Sequence, residues 1–124
     1  MISNNEYVKK VLDQISDSYN VIQNLKDKSG DLEIIKKELL KINGFFMVLI
    51  KKLGTENFNS HDLLELKSKI KNYVENYYFV QEIDTMSPLY SDDSDRLKNM
   101  RLKIIEAFQD KKLIDKIEEL IEKL

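Results

Sequence analysis

Apolar residues recur along most of this chain at steps of three and four, the spacing that lines one face of an α-helix. Val8, Leu12, Ile15, Tyr19 and Ile22 form the first such seam. Ser3 and Glu6 stand at capping-box spacing before it, and Ile2 with Tyr7 is placed as a hydrophobic staple. Lys28-Ser29-Gly30 supplies the stop, because Gly30 suits the left-handed position after a helix; the first helix is predicted over about 4–28. Asp31 is suited to cap a second helix. Its seam of Leu32, Ile35, Leu39, Ile42, Phe46, Leu49 and Leu53 is the most regular in the chain, and Gly54 ends it.

A third helix is capped by Asn59 or Ser60, with Phe58 positioned to staple onto Leu63. Leu63, Leu66, Ile70, Tyr73, Tyr77 and Val80 carry its face. Pro88 then disfavours helix at Ser87, which predicts a connection over 85–93. A fourth helical stretch begins near Ser94, with Asp92, Asp93 and Asp95 at its positive end. Leu97, Met100, Ile104 and Phe108 share one phase; Leu113, Ile117, Leu120 and Leu124 share another. The change of phase predicts a bend or break near 109–112, against the alternative of one long helix that shifts its face.

Short connections favour antiparallel neighbours, so the expected fold is all-α: an antiparallel up-down bundle of four helices, with a fifth short C-terminal helix if the last stretch breaks. An extended coiled coil that dimerises to complete its core is the alternative. The 124 residues suit one domain over 1–124, long enough to bury a core without staples. Three Gly and one Pro leave little for a turn-dense β domain, and without Cys there is no disulfide or thiolate site. No signal-peptide pattern opens the chain, and its longest apolar run, 45–50, is far short of the ~20 residues a membrane span needs. A cytoplasmic protein with no membrane partner is expected.

Searching for chemistry returns little. His61 is the single histidine, and its pairing with Asp62 falls in the first turn of a helix, where polar residues meet solvent. No Glu-x-x-His motif, serine elbow or phosphate-cradling glycine loop occurs. Asp92-Asp93-Ser94-Asp95 fails as a calcium loop, since its sixth and twelfth positions are Leu97 and Lys103. No catalytic, cofactor-binding or metal-binding residue is therefore assigned, and the expectation is a protein that is not an enzyme.

Surfaces are more informative. Gly44-Phe45-Phe46-Met47-Val48-Leu49-Ile50 is apolar all round, more than one buried stripe requires. Val48 points away from the seam among Lys37, Lys41, Lys51 and Lys52, so Phe45 and Val48 are predicted at a partner or self-association contact. Tyr78 and Phe79 leave the third seam and are predicted as exposed binding aromatics. Between Lys71 and Arg96 stand Glu75, Glu82, Asp84, Asp92, Asp93 and Asp95 without a basic residue. Asp92, Asp93 and Asp95 are accordingly predicted to meet a basic protein partner, provided the fold brings no lysines alongside. The functional expectation is a protein-binding module (an inhibitor, immunity or adaptor protein) that occludes a partner surface. Its alternatives are a nucleoprotein subunit contacting nucleic acid through lysines, or a self-assembling homodimer. Size and helical content are similar to bacteriocin immunity proteins and to helical subunits of ribonucleoprotein effectors, a likeness of shape that no motif carries.

Overall fold

Ser3 accepts the Glu6 amide proton at 3.1 Å and opens α1 (Asn4–Gln23) as its N-cap. The computed structural model describes residues 3–124, so the Ile2 half of the staple lies outside the described residues. The first helix ends at Gln23, five residues short of the sequence expectation, and the cause lies far along the chain. Arg101 Nη1 donates to the Gln23 carbonyl at 3.3 Å. The same guanidinium grips Asp27 through Nε and Nη2 at 2.9 and 3.1 Å, with Asp27 held at φ 61°.

Gly30, at φ 93°, is the N-cap of α2 (Asp31–Lys52), so Asp31 is the first helical residue and not the cap. Its carboxylate instead accepts the Lys28 N–H at 2.8 Å, closing the turn from outside the helix. Ser60 caps α3 (His61–Asn76) by accepting the Leu63 N–H at 3.3 Å. The third stretch is not one helix through Val80. It breaks at Tyr77 and Tyr78 and resumes as α4 (Phe79–Tyr90). Pro88 lies inside α4 and not in a loop: the ring supplies helical φ, and a proline near the helix end gives up a single backbone bond. Asp93 caps α5 (Ser94–Gln109) by accepting the Arg96 N–H at 3.2 Å. A 3₁₀ turn over Asp110–Lys112, with Lys111 and Lys112 at φ 54° and 57°, then redirects the chain into α6 (Leu113–Lys123).

The fold is all-α, with no strand among the described residues. Its four arms are α1, α2, the joined pair α3–α4 and the joined pair α5–α6. The arms run up and down. α1 packs along α2, α3 against α6, and α4 against α5, while α2 also meets α3, α4 and α5. The predicted seams of the first two helices are buried throughout, and one core cluster draws on all six helices. At its centre Phe46 meets Tyr73 edge-on at 5.3 Å, and Phe108 lies 4.8 Å from Tyr73 and 5.2 Å from Tyr19. No helix among the described residues is long and apolar enough to cross a membrane.

Candidate functional site

The predicted acidic surface does not assemble as an unpaired field. Folding sets Lys36 2.7 Å from Asp84, Lys103 3.3 Å from Glu82, and Arg96 3.6 Å from Asp93. Ser29 Oγ donates to Asp92, while Glu75 on α3 and Asp95 at the start of α5 are exposed. Bases distant in sequence thus pair with Asp84 and Glu82, and Arg96 pairs locally with Asp93. Arg96 also lies over the Tyr90 ring, 3.7 Å from its centroid.

The His61–Asp62 step resolves into structure of another kind. His61 is exposed, while Asp62 belongs to an ion network that fastens α3 to α6. Lys116 is 7% exposed, and its Nζ reaches Glu65 at 2.7 Å, Asp62 at 2.9 Å and Glu119 at 3.2 Å. Lys123 adds contacts at 3.4 Å to Asp62 and 3.3 Å to Glu119. Hydrogen bonds donated to Glu65 and Asp62 raise the Lys116 ammonium above the ordinary lysine range. The same lysine holds Asp62, Glu65 and Glu119 below the usual carboxylate range. Among the described residues no three carboxylate, imidazole or thiol side chains are grouped to hold a metal ion.

Two surfaces on α2 remain. The first is its outer face. Leu40 and Met47 are 52% and 47% exposed, and between them nothing within 4 Å would meet a Cβ added at Gly44. Val48 is half-buried yet does not join the residues packed on the core, whereas Phe45 does. Phe45 instead lines a shallow groove between α1 and α2 beside the exposed Val21. The predicted pair is therefore divided: Val48 faces outward and Phe45 leans inward. Lys37 and Lys51 stand on the same outer face with no carboxylate partner among the described residues, while Lys41 lies 3.4 Å from Glu38 and Lys52 lies over the Tyr7 ring.

The chain matches no family model, no curated protein and no solved structure.

The second surface is a cleft of about 290 Å³ where the break between α3 and α4 lies against α2. Tyr77, which lines the cleft, also joins the two breaks of the bundle. Tyr77, at the first, donates its hydroxyl to Asp110, at the second, at 2.9 Å, and Lys69 Nζ donates to the Lys111 carbonyl. The Asp110 bond pushes the Tyr77 phenol above its usual range. Tyr77 stacks on Phe79 with centroids 5.5 Å apart and planes 17° apart. Phe79 is 5% exposed, which corrects its assignment as an exposed aromatic: restarting the helix at Phe79 turns its ring into the core. Tyr78 is the residue left outside, 61% exposed, its hydroxyl donating to the Glu75 carbonyl at 2.9 Å. Leu39, Asn43 and Met47 of α2 form the opposite wall. Sequence reasoning missed this cleft, because it treated residues 63–80 as one uninterrupted helix.

Proposed function

We propose that this chain is a non-enzymatic protein-binding module, of the inhibitor, immunity or adaptor kind, that docks a partner polypeptide on the outer face of α2. The observation that carries the reading is the half-buried Val48: an apolar residue off the core, one turn after Gly44 with its open space, beside a face that exposes Leu40 and Met47. Large apolar side chains within two turns of one helix supply a desolvatable centre, and lysines around them suit the rim of an interface. Because Lys37 and Lys51 are unpaired, the partner favoured by charge carries carboxylates around an apolar ridge. This surface differs from the acidic one that the sequence assigned to a basic partner, where Asp84, Glu82 and Asp93 are paired with bases.

Affinity capture from the native host with wild type and Val48→Asp tests the reading, with each melting temperature measured alongside. The expected outcome is a partner retained by wild type and lost by the variant, whose melting temperature stays within a few degrees because Val48 does not belong to the core cluster. A buried, unpaired carboxylate costs several kcal/mol at such a contact. Identical captures from both proteins would overturn the proposal. Light scattering of wild type separates a homodimer from a foreign partner. A steep fall of binding with salt, together with nuclease sensitivity, would mark nucleic acid instead.

A further inference from the structure

We propose that the cleft at the α3–α4 break is a binding site for a small, uncharged aromatic ligand carrying one hydrogen-bonding group, a phenol or an indole in class. The inference is independent of partner docking on α2. Its basis is the joint occurrence of an aromatic lining, an uncharged interior and a buried hydroxyl without a protein partner.

The lining sets the ligand's shape. The rings of Tyr73, Tyr77, Tyr78 and Phe79 bound one side, and Leu39 with Val80 completes the apolar surface. Such rings attract another ring edge-on or in offset stacks with a preference that aliphatic walls lack. Met47, at the mouth, adds a polarizable sulfur that also favours aromatic contact. A volume of about 290 Å³ is at the small end for ligand pockets, which suits one or two fused rings and excludes a nucleotide.

The polar groups set the ligand's chemistry. No Lys, Arg, His, Asp or Glu lines the cleft, so a charged ligand would enter without a counter-ion. Tyr73 is 4% exposed, and its hydroxyl makes no hydrogen bond with any described residue. Among the described residues no side-chain polar atom is both fully sealed and unpartnered, so the Tyr73 hydroxyl keeps a small accessible surface, and Tyr73 is one of the residues that line the cleft. Burial raises the phenol above the ordinary tyrosine range, which keeps it protonated and able to donate at any working pH. Tyr77 and Tyr78 have already committed their hydroxyls to Asp110 and Glu75. Tyr73 is thus the donor left for a ligand oxygen or ring, with Asn43 and Gln81 at the walls for a second contact.

Titration of the isotopically labelled full chain with phenol, indole, toluene and benzoate, followed by amide NMR, tests the site. Phenol and indole are expected to give saturable shifts centred on Asn43, Val74 and Phe79, with benzoate weaker by about tenfold or more. Tyr73→Phe keeps the ring and removes only an unpartnered hydroxyl, so the variant folds. It should weaken phenol by about fivefold while leaving toluene unchanged. Shifts that do not saturate, or that spread over the surface, would overturn the proposal. So would benzoate binding as tightly as phenol, or a Tyr73→Phe variant that holds phenol like wild type or loses toluene to the same degree.

Discussion

At the residue scale, the stability of the molecule concentrates in a few side chains whose environments differ in kind. Phe46 is fully buried among Tyr73 and Phe108, and the rings around it cannot collapse onto a smaller side chain. Phe46→Ala should cost about 3–5 kcal/mol, read by denaturant unfolding. Arg101 acts through geometry and not bulk. It binds both Asp27 oxygens and the last carbonyl of α1 at once, so Arg101→Ala should cost about 1.5 kcal/mol, and Arg101→Lys should recover only part of it. A lysine that restored full stability would show that charge alone is at work. The arginine holds the Asp27 carboxyl below its usual range, so the same deficit should shrink as pH falls through that depressed value. None of this was readable at residue 27 itself, because the partner lies 74 positions away.

At the scale of the element, the helices that could be read from sequence were those whose burial is set by one uninterrupted face. The second seam was predicted residue for residue from Leu32 to Leu53, and all of it is buried. Tyr77 and Val80 keep the same spacing across the break between α3 and α4, so periodicity carried no sign of it; the bond from Tyr77 to Asp110 is a long-range fact. The phase change near Asp110 was visible because it displaced an entire seam, from Phe108 to Leu113. Of the candidate site, Tyr78 is exposed as expected and Val48 is half-buried off the core, whereas Phe79 and Phe45 were drawn inward by neighbours on other arms. The pairing of α3 with α6 makes a prediction of its own. Lys116 draws three carboxylates together, each held below its usual value, so their stabilisation is complete above about pH 4.5 and is lost as pH falls through the depressed values. Lys116→Met keeps the buried stem and leaves those carboxylates facing one another. Its melting temperature should fall furthest below wild type at neutral pH and low salt, and the gap should close as pH falls through the depressed carboxylate values. A gap constant with pH would assign the effect to packing.

At the scale of the whole molecule, the two broken arms lie side by side with their breaks tied together, while α1 and α2 pass the same level unbroken. A helix resists local opening because each turn is clamped by the next, and that continuity is interrupted twice at one height. Residues 79–109 therefore form a hairpin whose ends are both at joints, and α4 within it buries just Phe79 and Ile83. Such a hairpin is a separate cooperative unit in the sense of native-state hydrogen exchange, with an opening free energy below that of the global transition. Amides of α4 are expected to exchange well before those of α2, and Tyr77→Phe, which unties the joints, should widen that difference while leaving the protection of α2 nearly unchanged. Equal protection along α2 and α4 would mean that the bundle opens as one piece. If the hairpin does open first, the aromatic cleft at its root is the part of the surface whose shape changes most easily, and any ligand held there would register as slowed exchange along the whole of α4.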